Sequence, residues 1–309
     1  MKKYIKIARP DHWVKNAFIF PGIIIAFLLA EYDLTYAQMA VKFICGFFAT
    51  CFIASANYVI NEWLDAEFDK FHPTKKFRPV VSENMKFSLV MVEYAVCIAL
   101  GVGLSLLVNI QFLIVELILL FMGVLYNVKP IRTKDIVYLD VLSESVNNML
   151  RLLLGWFIIT DKLLPPSSIL IGYWFAGAFL MATKRFAEYR MIGDPEQAGL
   201  YRKSFKYYTE VKLLVSSFFY AMCATFFIGV FMIKYRMQYI IGMPFIFGLF
   251  CFYLSIAFKE DSAAQKPEKL YKEKSLLLYL LLLVVVLVAL TFIDINMPDY
   301  WLNPTLFSV

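Results

Sequence analysis

Apolar stretches long enough to cross a bilayer recur along the whole of this 309-residue chain. A transmembrane helix needs about 20 mainly apolar residues. Hydrophobic residues make up 61% of the sequence and charged residues only 17%, which predicts a polytopic membrane protein. The stretches lie at roughly 13–30, 37–60, 86–108, 110–127, 140–160, 167–184, 211–233, 238–258 and 275–293.

The predicted architecture is therefore all-α, a bundle of nine transmembrane helices with cytoplasmic cap loops, in a single domain over 1–309. Pro21 and Gly22 interrupt the first stretch. A tilted or partly re-entrant course stays open for that stretch beside a full crossing.

Positive charges alternate between the two sides of the predicted bundle. Five Lys and Arg residues precede or begin the first span, and the loops after spans two, four, six and eight hold twenty more. The other loops and the C-terminal tail hold only Lys162, Lys234 and Arg236. Because positive loops stay in the cytoplasm, we expect a cell-membrane protein with its N-terminus and long loops inside and its C-terminus outside. The net charge of +6 then comes from these positive loops, which suit an anionic lipid bilayer as partner, and does not indicate a nucleic-acid partner.

Four polar residues follow the second span at strict four-residue steps: Asn57, Asn61, Asp65 and Asp69, with Glu62 beside them. At 3.6 residues per turn they share one face of a helix that leaves the membrane. Oxygen ligands of this kind suit Mg²⁺, which usually completes its shell with substrate phosphates. The alternative is a solvated helix end whose acids balance nearby lysines.

Clusters of cations follow alternate spans and could bind a phosphorylated substrate. One set follows the acidic helix end, a second follows span four after a tyrosine, and a third lies in the long segment 184–209, whose length suggests an active-site cap. The same residues also fit ordinary positive-inside charge, and Lys15, beside Trp13, also fits an interfacial anchor. Span five adds polar residues at membrane depth, for which a purely structural network is the competing interpretation.

The chain resembles the UbiA superfamily of intramembrane prenyltransferases. The first aspartate motif of that family, NDxxDxxxD, is matched by NEWLDAEFD at 61–69, with Glu62 in place of the first Asp. The tyrosine and lysine that follow span four in the family are matched by Tyr126 and Lys134. The resemblance implies a nine-helix bundle of UbiA type, a Mg²⁺ cofactor, and Asn61, Glu62, Asp65 and Asp69 as metal ligands, the three acids being catalytic.

Within that superfamily the chain is most similar to the decaprenyl-phosphate phosphoribosyltransferases. The similarity lies in RPDHWVKN, in DKFHPTKKFRPV, and in KRFAEYR with YRKSFKYYT. Where prenyl-transferring members carry a second aspartate motif, this chain has Lys184, Arg185 and Glu188. The residues then expected to bind substrate are Lys15, Asn57, Lys75, Lys76, Arg78, Tyr126, Lys129, Arg132, Lys134, Asp140, Glu144, Arg151, Lys184, Arg185, Glu188, Arg202 and Lys203.

This resemblance implies transfer of a 5-phosphoribosyl group from phosphoribosyl diphosphate to a polyprenyl phosphate. The phosphate acceptor is already anionic near neutrality, which agrees with the lack of a convincing general base. The alternative is transfer of an isoprenoid from an isoprenyl diphosphate to an aromatic or other acceptor, for which two metal clusters are expected and one is evident. A third hypothesis, a non-enzymatic carrier of anionic lipid, does not explain four oxygen side chains in register.

Overall fold

The structure, a computed structural model, describes residues 2–259, 262–265, 270 and 272–292. Within these residues it is helical and contains no strand, so the predicted all-α class is confirmed. Nine helices form its frame: α1 (Phe20–Leu29), α2 (Tyr36–Asp69), α3 (Phe87–Leu106), α4 (Ile110–Asn127), α5 (Leu139–Ile159), α6 (Ser167–Ile192), α7 (Glu210–Tyr235), α8 (Met243–Ala257) and α9 (Lys274–Phe292).

Short helical segments connect or flank these nine. Three are α-helical, at Lys2–Ile7, Pro79–Ser82 and Pro195–Tyr201. The others are 3₁₀ segments at Pro10–Ile19, Lys75–Phe77, Thr133–Asp135, Lys203–Lys206, Met237–Gly242 and Ala263–Gln265. Most of the short segments lie at the end of the bundle that holds the C-terminus of α2.

Each of the nine predicted stretches coincides with one of the nine long helices of the described chain. Seven helical stretches there are long and apolar enough to cross a membrane, which makes this a multi-pass membrane protein. The remaining two helices, α5 and α6, contain ionisable residues such as Asp140, Glu144, Arg151 and Arg185. The predicted outer position of the C-terminal tail, beyond residue 292, lies outside the described residues.

The first stretch contains the break that Pro21 and Gly22 suggested. A 3₁₀ segment over Pro10–Ile19 passes into α1 at Phe20, with Pro21 in the first turn of α1. A proline in the first turn of a helix removes no internal hydrogen bond, so the chain continues from one helical form to the other.

The length of α2 positions the acidic residues. Thr35 caps the helix in a reciprocal capping box with Gln38. The 34 residues of α2 extend for about 51 Å, well beyond the roughly 30 Å of bilayer hydrocarbon. Its last turns, which carry Asp65 and Asp69, therefore project past the apolar part of the bundle.

Apolar packing divides between two groups of helices. One core lies among α1, α2, α4 and α5 and includes Ile53, Phe112 and Leu154. The other lies among α6, α7 and α8 and includes Phe179, Phe186 and Tyr253. Helices α5 and α6 pack against each other and join the two groups, so side chains at the N-terminal end of α5 and the C-terminal end of α6 can meet residues from both groups.

Two glycines allow the N-terminal segment to cross α5 at very short distance. A Cβ atom on Gly155 would lie 2.0 Å from the carbonyl oxygen of Ile19, and one on Gly22 would lie 2.0 Å from that of Leu152. Such distances are impossible for real atoms, and both contacts are with backbone. This crossing therefore requires glycine at both positions.

We predict that Gly155→Ala lowers the free energy of unfolding by at least about 2 kcal/mol, because the new methyl group forces the two helices apart. Gly103→Ala is the matched control, since a Cβ at Gly103 has no atom within 4 Å. Thermal unfolding in detergent measures both variants. Equal melting temperatures for the two would contradict the close crossing.

Candidate functional site

A pocket opens where the end of α2 meets the loops that follow α4 and α6. It contains about 280 Å³ of empty space, including its open mouth. The lining residues are Asp65, Phe68, Asp69, Arg132, Lys134, Asp135, Tyr201 and Arg202. Acids and cations from three distant parts of the sequence thus meet around one opening.

Asp65 is held by two cations from the segment after α4. Arg132 Nη2 donates to Asp65 Oδ1 at 3.0 Å, and Lys134 donates to the same oxygen. Lys134 is only 4% exposed, and this burial lowers the pKa of its ammonium to about 8, although Asp65 acts in the opposite direction. Because a buried charge is stable only when paired, Asp65 helps to retain both cations at the pocket.

Asp69 is paired in the same way with the loop that follows α2. Arg78 Nη1 donates to Asp69 Oδ2 at 2.5 Å, and the Asp69 carboxylate is almost fully buried. This ion pair folds the basic loop back over the helix end. Acids that balance nearby cations are what the alternative interpretation of this helix end predicted, and binding of substrate by these cations stays a prediction.

Asn61 and Glu62 lie beside the pocket and do not line it. Asn61 Nδ2 donates to Asn127 Oδ1 at 2.5 Å, and Lys134 Nζ donates to the same Asn127 oxygen at 2.7 Å. Glu62 is 3% exposed, and its Oε1 atom has no hydrogen-bond partner among the described residues. Glu62 therefore has an unused acceptor atom beside the acidic end of α2. A buried carboxylate oxygen without a hydrogen-bond partner costs free energy.

The predicted metal site is only partly assembled in this geometry. Within the described ranges no three His, Cys, Asp or Glu residues converge as a metal cluster. Asp65 and Asp69 share the pocket and their oxygens are of the type that Mg²⁺ prefers. These two residues fit a site in which substrate oxygens supply the remaining ligands, and the full four-residue ligand set stays a prediction.

Glu188, on α6, is the centre of a buried network beside the pocket. Its Oε1 atom lies 2.6 Å from Lys75 Nζ and accepts from the Tyr201 hydroxyl at 3.2 Å. Its Oε2 atom lies 3.4 Å from Arg185 Nη1. One carboxylate therefore joins the loop after α2, helix α6 and the cap segment after α6.

His72 also contacts Glu188, and does so as a neutral imidazole. Its Nδ1 atom accepts from the backbone N–H groups of Thr74 at 3.1 Å and Lys75 at 3.2 Å. Burial lowers the pKa of the His72 imidazole, which outweighs the opposing effect of Glu188. The ring proton therefore sits on Nε2, which faces Glu188 Oε1 at 3.4 Å. No local pattern in the sequence pointed to this role for His72.

Arg185 of α6 and Arg202 of the cap segment both contact α5. Arg185 Nη2 lies 2.5 Å from Glu144 Oε2, which also accepts from the Tyr126 hydroxyl at 2.8 Å. Arg202 Nη1 lies 3.6 Å from Asp140 Oδ2 and donates to the Tyr126 hydroxyl at 3.2 Å. The polar stripe of α5 is thus shared between these two arginines. The purely structural interpretation of that stripe explains Asp140 best, because its carboxylate also accepts from Ser204 and Tyr208.

Several predicted residues lie away from the pocket. Arg151 donates to Asn16 Oδ1 at 2.9 Å deep in the bundle, and Asn57 donates to the Leu119 carbonyl at 3.0 Å between α2 and α4. Both act in helix packing here. Lys76 and Lys129 are exposed and do not line the pocket.

Lys15, Lys184 and Lys203 surround the site without lining the pocket. Lys203 Nζ lies at the rim, 3.5 Å from Asp135 Oδ2. Lys15 Nζ lies 2.8 Å from His12 Nδ1, within the 3₁₀ segment that precedes α1. Lys184 occupies the inner face of α6, one residue before Arg185.

Sequence reasoning missed Phe68, Asn127, Asp135 and Tyr201. Phe68 and Tyr201 gave no usable signal, because aromatic residues are abundant throughout the chain. Asp135 lies within the basic segment 126–135, and Asn127 directly follows Tyr126. Their position beside three cations was the available clue.

Comparison with known proteins identifies the family. The sequence profile of the UbiA prenyltransferase family matches residues 19–282 of this chain. The chain therefore belongs to the UbiA family and is a membrane-embedded transferase of that family.

Two curated relatives are named decaprenyl-phosphate phosphoribosyltransferase. The Corynebacterium glutamicum protein is 31% identical over 226 residues, which cover 72% of this chain and 63% of that protein. The Mycolicibacterium smegmatis protein is 30% identical over 211 residues, which cover 66% of this chain and 62% of that protein. The matched region thus spans about three fifths of the length of these relatives.

A solved structure shares the fold at lower sequence identity. It is a UbiA homologue from Archaeoglobus fulgidus bound to GPP and Mg²⁺, with a TM-score of 0.67 and 19% identity. The match covers 92% of this chain and 99% of that protein. The UbiA-type fold expected from the motifs is confirmed.

We predict that Glu188→Gln lowers the free energy of unfolding by about 3 kcal/mol or more, because it leaves Lys75 and Arg185 without their shared anion. Glu210→Gln is the control, since Glu210 is 55% exposed and lies 3.8 Å from Arg190. Thermal unfolding measures the loss of stability, and proteolysis of the loop 70–79 measures whether that loop is released from the bundle. Unchanged melting of the Glu188 variant would show that the network does not hold the cap.

Proposed function

We propose that this enzyme transfers a 5-phosphoribosyl group from phosphoribosyl diphosphate to a polyprenyl phosphate and releases diphosphate. We further propose that the reaction is Mg²⁺-dependent and takes place at the cytoplasmic face of the cell membrane. The names of the two curated relatives support this donor and acceptor class.

The acidic end of α2 supports the diphosphate position. Asp65 and Asp69 would hold Mg²⁺, with Asn61 and Glu62 expected beside them, and the ion would neutralise the departing diphosphate. Arg132 and Lys134 lie against Asp65 and Arg78 lies against Asp69. These cations are therefore close enough to exchange a carboxylate for a phosphate oxygen when the donor enters.

The observation that carries the proposal is the pairing of two acids beyond the pocket, Glu144 on α5 and Glu188 on α6. Glu144 and Glu188 are each paired with the buried Arg185 and do not line the pocket. Asp65 and Asp69 do line it, so the acids of α2 are the ones placed to exchange a protein cation for a metal. A sugar donor with a diphosphate and a 5-phosphate needs additional cations, and Arg202 at the pocket and Lys203 at its rim supply them. Isoprenoid transfer to an aromatic acceptor needs a second acidic cluster instead.

The chemistry balances without a general base. An anionic oxygen of the lipid phosphate forms a bond to C1 of the ribose, and the bond between C1 and the diphosphate oxygen breaks. The diphosphate leaves with that electron pair, and the cations around Asp65 and Asp69 stabilise the charge that develops on it. No residue has to accept a proton.

The positive charges at 70–79, 129–134 and 202–206 support a cytoplasmic position for the pocket, since these loops follow spans at the positive side of the bundle. Phosphoribosyl diphosphate is a water-soluble donor, which agrees with a pocket whose mouth opens beyond the end of α2. The polyprenyl chain would remain in the bilayer.

The reaction is tested with purified protein, Mg²⁺, phosphoribosyl diphosphate labelled in the ribose, and a polyprenyl phosphate. We predict a labelled lipid with equimolar diphosphate release. We also predict that Asp65→Asn and Asp69→Asn each lower turnover by about a hundredfold or more in protein that still folds, because each removes a carboxylate that would hold the metal. A lower melting temperature is expected as well, because each change leaves a cation without its paired anion. Glu62→Gln should have a smaller effect.

Glu67→Gln is the control on the same helix, because Glu67 is exposed and lies outside the pocket. Turnover near that of the unaltered enzyme in both aspartate variants would rule out their role in metal binding. Label transfer only from an isoprenyl diphosphate to an aromatic acceptor would replace the proposed reaction by prenyl transfer.

A further inference from the structure

Asn127, the last residue of α4, joins two residues near the acidic helix end through one atom. Its Oδ1 atom accepts from Asn61 Nδ2 at 2.5 Å and from Lys134 Nζ at 2.7 Å. Asn127 is only 3% exposed. Lys134 also donates to Asp65, so Asn127 belongs to the hydrogen-bond network of the pocket acids although it does not line the pocket.

The neighbours of Asn127 fix the direction in which its amide points. An ammonium group can only donate, so Lys134 requires the amide oxygen, and a carbonyl group can only accept, so Gly123 requires the amide nitrogen. Asn127 Nδ2 does donate to the Gly123 carbonyl oxygen, at 2.8 Å. Exchange of the two amide atoms would place two donors together at Lys134 and two acceptors together at Gly123. The Asn127 amide therefore has a single favourable orientation.

This orientation determines in turn how Asn61 presents its own amide. Because Asn127 offers an acceptor at this contact, Asn61 turns its nitrogen and not its oxygen towards α4. No described residue donates to Asn61 Oδ1. Asn61 thus carries an available oxygen one helical turn before Asp65, on the face of α2 that Asp65 and Asp69 share.

The two pocket acids each leave one oxygen uncommitted as well. Arg132 and Lys134 both bind Asp65 Oδ1, and Arg78 binds Asp69 Oδ2. Within the part of the chain that the structure describes, no group donates to Asp65 Oδ2 or to Asp69 Oδ1. Three successive turns of α2 therefore each carry an oxygen without a protein partner, and Mg²⁺ prefers oxygen ligands.

We propose that Asn127 is a positioning residue. By holding the nitrogen of Asn61, it leaves the Asn61 oxygen available to the divalent metal that the acidic end of α2 would bind. Removal of a group that orients a metal ligand typically weakens metal binding by about tenfold to a hundredfold. The inference rests on the proposed function for its metal, and adds to it a residue that touches neither the metal nor the substrate.

The test measures binding of Mn²⁺, a paramagnetic substitute for Mg²⁺, to the full-length protein in detergent through the electron paramagnetic resonance signal of free Mn²⁺. Asn127→Leu, which removes both amide contacts at similar volume, should weaken Mn²⁺ binding by about tenfold. Asn127→Asp keeps an acceptor for Asn61 and Lys134 and loses only the donor to Gly123. Its Mn²⁺ affinity should therefore be no more than about threefold below that of the unaltered protein.

A double-mutant cycle shows whether Asn127 acts through Asn61. Asn61→Ala should weaken Mn²⁺ binding by about tenfold, because it removes the oxygen that Asn127 orients. In the Asn61→Ala background, Asn127→Leu should then cause a further loss of less than about threefold, since two residues that act through one contact are not additive. Independent losses that multiply to about a hundredfold would overturn the proposal.

Asn109→Leu is the matched control, at the other end of α4. Asn109 Oδ1 accepts from the Phe112 backbone N–H at 2.7 Å, and Asn109 Nδ2 donates to the Phe157 carbonyl at 2.6 Å. The replacement therefore also removes two amide hydrogen bonds of α4. It should lower the melting temperature and leave Mn²⁺ binding unchanged.

Equal weakening of Mn²⁺ binding in Asn127→Leu and Asn127→Asp, or in Asn127→Leu and Asn109→Leu, would indicate a general loss of helix stability and overturn the proposal. Unchanged Mn²⁺ binding in Asn127→Leu would overturn it and leave the proposed function intact. Absence of Mn²⁺ binding in the unaltered protein would contradict both this proposal and the metal dependence of the proposed function.

Discussion

Charge pairing in a low-dielectric interior is the constraint on which the rest of this structure depends. Glu188 is enclosed by Lys75, Arg185, His72 and Tyr201, which belong to three separate segments of the chain. Removal of one partner from such a network typically costs about 3 to 5 kcal/mol, so each segment is fixed by the charges of the others. Ion pairs therefore help to hold the cap over the bundle, together with the apolar cluster that includes Ala198, Phe205 and Phe186.

The same pairing determines which charges remain available to a substrate. The pocket acids Asp65 and Asp69 are paired with Arg78, Arg132 and Lys134 at the edge of the pocket, where an incoming metal and diphosphate can exchange with them. Farther along α5 and α6, Asp140, Glu144 and Glu188 each form an ion pair with Arg185.

The sequence predicted the helices and the acidic end of α2 because both depend on local periodicity. Asp65 and Asp69 do share a helical face at the pocket, as their four-residue spacing indicated. Asn57, two turns deeper on that face, instead meets Leu119 of α4, because the packing of α4 against α2 cannot be read from spacing. The pattern gave the direction of each side chain around the helix, and tertiary packing decided what it contacts.

Contacts between residues far apart in the sequence could not be predicted either, because they also depend on tertiary packing. Arg151 lies about two helical turns from Glu144 on α5 and binds Asn16, 135 positions away. Tyr201 lines the pocket from the cap segment and contacts Glu188 and Lys75, which lie 13 and 126 positions away. No local pattern identifies either partner.

Selective binding of the donor tests the central claim most directly. The melting temperature of the purified protein is measured with Mg²⁺ and equal concentrations of phosphoribosyl diphosphate, ribose 5-phosphate or geranyl diphosphate. Under the proposed function we expect clear stabilisation by phosphoribosyl diphosphate and much less by ribose 5-phosphate, which lacks the diphosphate that Mg²⁺ and the pocket cations would bind. Stabilisation by geranyl diphosphate, with none from the sugar diphosphate, would contradict it and identify an isoprenoid donor.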